Sequence, residues 1–134
     1  MGEYFKKLRI IKGYSQKEVA QMVGVYPSSV INWEKNRYLP CRKYIRKLAK
    51  VLDPDPFELV QFEGVLSKLH KQILEFFEEN PMSTQKECKE ALGISWDLHK
   101  ELLYLLDIGI LEREFKGKTA HYRVRGKLER MISS

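Results

Sequence analysis

Residues 24–37 read GVYPSSVINWEKNR. Two hydroxyls, Ser28 and Ser29, a carboxamide, Asn32, and then Lys35, Asn36 and Arg37 follow one another closely. Hydroxyls and amides exchange hydrogen bonds with base edges, and lysine and arginine neutralise phosphates, so this is the chemistry of a helix that reads DNA. Pro27 is the awkward member, because its ring donates no hydrogen bond. A second cluster lies far downstream, where Arg113, Lys116, Lys118, His121, Arg123 and Arg125 surround a short turn. Basic side chains on a hairpin can follow a nucleic-acid backbone or enter a minor groove.

The charge distribution supports a polyanionic partner. The chain has 134 residues and a formal net charge of +6, but the total hides a division. Residues 1–50 hold twelve Lys/Arg against three Asp/Glu, residues 51–112 hold five against thirteen, and residues 113–134 hold seven against two. Charges of both signs in the middle are expected to solvate helix faces. The two basic ends are too one-sided for that role alone.

Other chemistries find no residues to support them. There is no GxxxxGK[ST] loop, GxSxG elbow or HExxH pair, and His70, His99 and His121 have no evident catalytic or metal-binding partners. Glu75, Glu78 and Glu79 follow helical spacing and are expected to face solvent. Cys41 and Cys88 are too far apart in sequence for a metal cluster and are expected to be free thiols, buried or partly buried. The expectation is a protein that is not an enzyme and has no metal, cofactor or small-molecule ligand domain. No apolar run approaches the ~18 residues needed to span a membrane, and the first residues, MGEYFKKLRIIKGYSQ, lack the apolar stretch of a signal peptide. A cytoplasmic location is the default.

These side chains need elements to position them. Phe5, Leu8 and Ile11 recur at helical spacing and predict a first helix closing at Gly13. Ser15, with Glu18 three residues on, forms a capping box for a second helix that Gly24 stops. A third helix is predicted to begin at Pro27, where a missing amide hydrogen costs least and the fixed φ assists the first turn. Tyr26 replaces the usual side-chain cap there. A fourth helix follows Pro40, with Ile45, Leu48 and Leu52 on one face, and a short fifth starts at Pro56.

A domain boundary is placed near Glu63-Gly64, giving domains of residues 1–63 and 64–134. In the second, Leu66, Leu69, Ile73 and Phe76 or Phe77 mark a long amphipathic helix ending at Asn80-Pro81. Ser83 is expected to cap the next helix, Ser95 the one after, and Gly109 to close it. ILEREF and AHYRVR then flank KGKT, a β-hairpin at about residues 110–125 and the one strand signal in the chain.

Gln16, Ala20, Gly24, Val30 and Trp33 have the spacing of a helix-turn-helix: Ala20 lets two helices cross closely, Gly24 turns the chain, and Val30 and Trp33 pin the second helix. With Arg9 upstream and Glu34 downstream, Phe5 to Val60 resembles the Cro/repressor-like (XRE) helix-turn-helix family. The resemblance implies a mainly α, five-helix lambda-repressor-like domain whose third helix enters the major groove. It implies that Gln16, with Lys17 beside it, holds a phosphate at the start of the second helix. It places Tyr26, Pro27, Ser28, Ser29 and Asn32 at the bases or their immediate backbone. Lys35, Asn36 and Arg37 would touch phosphates, with Arg42 and Lys43 as further anchors. Arg9 and Glu34 would form an internal ion pair, and Trp33 would belong to the core.

The second half resembles a winged helix: a long helix, a helix-turn-helix and a hairpin wing. Cys88 and Leu98 share the spacing of Ala20 and Val30, which puts Cys88 at the small-residue packing position. Leu98, Leu102, Leu105 and Leu106 would form the core stripe of its third helix, leaving Trp96, Asp97, Lys100, Glu101 and Tyr104 outside. Two carboxylates facing a groove lined by phosphates would be repelled. Arg113, Lys116, Lys118, His121, Arg123 and Arg125 are the wing's candidate contacts. This domain therefore either binds DNA through the wing or serves as a dimerisation or docking module.

The leading expectation is a homodimeric, sequence-specific regulator of transcription that binds double-stranded DNA. A protein-interaction adaptor, docking on transcription machinery or an antitoxin-like partner, is the alternative from another class. An accessory role in replication or partition of a virus or plasmid would use the same chemistry.

Overall fold

A computed structural model describes residues 1–126. Residues 127–134 of the expected second domain lie outside the described residues. The chain divides into two compact units, Met1–Asp55 and Pro56–Ser134. The division falls at Asp53-Pro54-Asp55-Pro56, ahead of the expected Glu63-Gly64. Pro56 and Phe57 belong with the second unit because they pack against the backbone at Gly109 and Gly126.

Unit one is helical: α1 (Gly2–Lys12), α2 (Gln16–Val23), α3 (Pro27–Glu34) and α4 (Arg42–Leu52). Its ends follow local chemistry. Ser15 Oγ accepts from the Glu18 amide at 3.0 Å while the Glu18 carboxylate accepts from the Ser15 amide at 3.0 Å, which satisfies two of the orphan donors at the start of α2. Gly24 ends α2 at φ 83°, a left-handed conformation that a side chain would strain, and so sets the turn into α3. The core joins Phe5, Val19, Ala20, Val23, Val30, Trp33, Ile45, Leu48 and Leu52, each at most 8% exposed. Burying each large aliphatic member contributes about 1.5–3 kcal/mol. Tyr44 of α4 rests against Trp33, with ring centroids 5.5 Å apart.

Gly2 allows α1 and α3 to meet. A Cβ there would collide with the carbonyl oxygens of Trp33 and Glu34, so only a glycine lets the two backbones come this close.

Unit two runs α5 (Pro56–Leu59), α6 (Lys68–Glu79), β1 (Ser83–Thr84), α7 (Gln85–Leu92), α8 (His99–Asp107), β2 (Leu111–Lys116) and β3 (Thr119–Val124). The strands form an antiparallel sheet in the order β1-β3-β2. The expected hairpin is thus joined by a third strand, β1, too short to leave a periodic signal. Ile73, Leu74, Phe77, Cys88, Leu98, Leu102, Leu105, Ile110 and Leu111 are almost wholly buried.

Three local expectations are corrected. Ser83 lies in β1, paired with Tyr122, and it is Thr84 that caps α7 through a reciprocal box with Glu87. Ser95 caps nothing, since α8 begins at His99. The Asp97 carboxylate accepts from the His99 amide at 2.9 Å and the Gln85 side chain from the Leu98 amide at 2.7 Å, so the loop finds its partners elsewhere. Tyr104 faces inward: it is 6% exposed, stacks on His70 at 4.9 Å and donates its hydroxyl to the Val65 carbonyl at 2.7 Å.

Candidate nucleic-acid interface

The geometry of unit one turns on a buried carboxylate. Glu34, at the end of α3, is 6% exposed. Its Oε2 accepts from Arg9 Nε at 2.7 Å, and its Oε1 accepts from Arg9 Nη2 at 3.0 Å and from Gln16 Nε2 at 3.1 Å. Arg9 also donates Nη1 to the Tyr14 carbonyl at 2.9 Å. One carboxylate therefore ties α1, the start of α2 and the end of α3 together. Hydrogen bonding to Glu34, with its negative charge, raises the Arg9 pKa above the ordinary value although burial opposes the shift.

Gln16 consequently belongs to the network while standing at the start of α2. One N–H of its amide is spent on Glu34, and the amide lies at the N-terminus of α2 beside the exposed Lys17. The backbone amides of Gln16 and Lys17 precede the first intrahelical bond of α2, in which Val19 donates to the Ser15 carbonyl at 3.1 Å. Amide donors, a helix N-terminus and an ammonium make a phosphate-compatible corner.

The outer face of α3 carries the expected readers. Pro27 stands at the first helical position, and Tyr26, the N-cap, is 82% exposed and makes no side-chain cap bond. Pro27 and Ser28 are exposed, and Ser29 and Asn32 are half-buried. Asn32 is already oriented, because its Oδ1 accepts from Arg37 Nη1 at 3.2 Å, which turns its amide nitrogen elsewhere.

The basic residues follow in two groups. Lys35 and Arg37 are exposed. Asn36, between them, adopts φ 57°, a left-handed backbone that asparagine tolerates better than most residues. Its Oδ1 accepts from the Gly2 amide at 2.9 Å, so its acceptor caps α1 and its nitrogen is the group suited to a phosphate. Arg42 and Lys43 are exposed on the first turn of α4. Lys43 Nζ lies 5.5 Å and Lys47 Nζ 5.8 Å from the Tyr44 ring centre, and Lys47 donates to the Val23 carbonyl at the end of α2 at 3.4 Å. Cys41, the N-cap of α4, is exposed, contrary to the expectation for both thiols, while Cys88 is buried. Burial pushes the Cys88 thiol up to about 11.

Unit two separates its candidate contacts. Arg113, Lys116 and Lys118 are exposed near the hairpin tip. Arg123 Nε donates to Glu112 Oε2 at 2.9 Å, and Arg125 lies 3.6 Å from the same carboxylate. The His121 ring nitrogen Nδ1 is 2.9 Å from the Met82 carbonyl, where it clips the segment before β1 to β3. Trp96 is 56% exposed beside Asp97 and Lys100. The bonds that hold Gln16 and Asn36 were not legible in local sequence, because their partners lie 18 and 34 residues away.

Residues 5–59 match a family model described as helix-turn-helix, a span that begins in α1 and ends with α5. No curated protein matches the chain. A chain in a solved structure of a SinR protein/SinI protein complex is 26% identical, with a TM-score of 0.42, over 69% of this chain and 90% of that one.

Proposed function

We propose that this protein is a sequence-specific regulator of transcription that binds double-stranded DNA, with α3 in the major groove. The observation that carries this reading is the Arg9–Glu34–Gln16 network, which fixes α3 against α2 while Pro27, Ser28, Lys35 and Arg37 stay exposed on the outer side. Buried polar groups that lock a recognition element cost nothing further when DNA arrives, because its orientation is already set. The helix-turn-helix match over residues 5–59 supports the same placement.

In this reading Gln16 and Lys17 hold one phosphate, and Lys35, Asn36, Arg37, Arg42 and Lys43 hold others. Backbone contacts set the register, and Ser28, Ser29 and Asn32 read base edges. Pro27 packs against a thymine methyl. Hydroxyls tolerate several bases, so each half-site is read modestly and a second contact is needed. A homodimer supplies it, with half-sites about 34–36 Å apart on one face of the duplex.

Unit two is read as a winged helix. Its support is the succession α6-β1-α7-α8-β2-β3 with sheet order β1-β3-β2, which leaves the β2–β3 hairpin at one edge. Docking of a protein partner is the second reading for this unit, favoured by the exposed Trp96 next to Asp97.

Selection of bound sites from a random duplex pool by the full chain tests the proposal. Enrichment of a two-fold site is expected, with log-log salt dependence near -5 for about six phosphate contacts on each protomer and so about twice that for the dimer. Enrichment of no sequence overturns it.

A further inference from the structure

The β2–β3 hairpin outruns the core that supports its base. Cross-strand pairing sets Leu111 with Val124, Arg113 with Tyr122 and Phe115 with Ala120. Directly paired residues share a face of an antiparallel ribbon. Leu111, Tyr122 and Val124 are buried on this face, and Tyr122 packs on Phe77 of α6 with ring centroids 5.5 Å apart. Toward the tip that cover ends. Phe115 is 57% exposed, and Ala120 opposite has only a methyl group to shield it.

What the ring does have is a cation. The Arg113 guanidinium lies 5.2 Å from the centre of the Phe115 ring, on the same face. The chain reverses through Gly117 and Lys118 alone, so the tip is narrow, and Lys116 and Lys118 are exposed on it. Glu112 is engaged by Arg123 at the base of the ribbon, which leaves Glu114 as the acidic side chain among residues 113–118, against three cations.

Resting on the DNA-binding reading above, we infer that Phe115 is an apolar wedge that enters a base step of duplex DNA from the minor groove. Arg113, Lys116 and Lys118 take the phosphates on either side. A single exposed aromatic is ordinary on a protein surface. This one sits on a thin ribbon, with an arginine over its ring and two lysines following it at the tip, and it plays no part in the core. Phosphates draw such a tip to a groove about 6 Å wide, and the base faces offer the ring the burial that Ala120 does not. A surface built to seat on an apolar protein patch would gain nothing from an arginine on the ring and two lysines at the tip. Apolar wedges of this kind part a base step and kink the duplex by about 20–90° toward the major groove.

Energy transfer between dyes at the two ends of a duplex tests the wedge, using duplexes enriched from a random pool by the wild-type chain. Binding of wild-type protein is expected to raise the transfer. Phe115→Leu, which keeps an apolar wedge, is expected to retain most of the rise. Phe115→Lys, which keeps the basic tip, is expected to bind and lose it. Circular dichroism checks that both variants fold, as an exposed position predicts. A wild-type chain that binds without a rise, or a Phe115→Lys variant that bends DNA like wild type, overturns the wedge and leaves DNA binding intact. A wild-type chain that enriches no duplex overturns both.

Discussion

Arg9 and Glu34 meet through two hydrogen bonds, 2.7 and 3.0 Å long, in a site where the arginine side chain is 12% and the glutamate 6% exposed. Removing either partner leaves a buried charge without its counter-charge, and such losses cost about 3–5 kcal/mol. Arg9→Met is therefore expected to lower the urea midpoint of unit one strongly. The Arg9 pKa is raised, so the stability the pair adds is present below the ordinary arginine value and is lost only as pH rises toward the still higher folded value. Between pH 5 and 9 the difference between Arg9→Met and wild type should not change on account of this arginine. A variant with an unchanged midpoint would show that the network does not hold α3.

The two thiols should behave differently. Cys41 is exposed and Cys88 is wholly buried, so a thiol reagent is expected to modify one cysteine per native chain quickly and the second only on unfolding. The pH dependence has a definite sign. Burial holds the Cys88 thiol neutral, with its pKa raised from 9.0 to about 11, so the stability linked to it is complete below pH 9 and is lost as pH rises from 9 to 11. The loss is on the order of 2 kcal/mol. Cys88→Ala is expected to remove this part of the alkaline decline, as read from denaturation midpoints at pH 8 and pH 11. Equal declines in both proteins would refute it.

Gly2 offers a test of helix placement. A methyl group there meets the carbonyl oxygens of Trp33 and Glu34, which are backbone atoms that cannot swing aside, as well as the Asn36 side-chain oxygen. Gly2→Ala is expected to destabilise unit one by about 1–3 kcal/mol although alanine is the better helix former. A thermal midpoint equal to or above that of wild type would contradict the close approach of α1 and α3.

Helix ends in unit one were readable because their causes are local: the Ser15–Glu18 box, Gly13, Gly24 and Pro27 each act within one turn. What escaped depended on distant partners. β1 consists of two residues and exists only because Ser83 and Thr84 pair with Tyr122 and His121. α8 starts at His99 and not after Ser95 because Gln85, thirteen residues before Leu98, supplies an acceptor to the loop. Tyr104 looks outward by helical spacing from the leucine stripe, yet the Val65 carbonyl draws its hydroxyl inside. Among the candidate contacts, residue types were readable, but their orientation was not: the Gly2 amide that holds the Asn36 oxygen is 34 residues away, and Arg37, though only five residues from Asn32, reaches its oxygen through the turn that ends α3.

That orientation leads to a prediction about base reading. Asn32 Oδ1 accepts from Arg37, so while this bond lasts one of its two lone pairs is taken and the amide is held in one orientation, which restricts how its donor-acceptor pair can meet adenine. If Arg37 leaves for a phosphate on binding, the amide is freed to turn and align both its oxygen and its nitrogen with the base. Arg37 then acts on discrimination as well as affinity. Asn32→Ala is expected to cost about 1–3 kcal/mol of discrimination at one base pair, more than Ser28→Ala. Arg37→Ala is expected to weaken binding to all sequences and to reduce the salt slope by about one contact per protomer. Its effect on discrimination at the Asn32 base pair should also vanish in an Asn32→Ala background. Competition titrations of the three single variants and the Arg37→Ala, Asn32→Ala double variant against duplexes substituted at that base pair measure this coupling. Strict additivity would show that Arg37 only neutralises phosphate and that its bond to Asn32 has no part in reading.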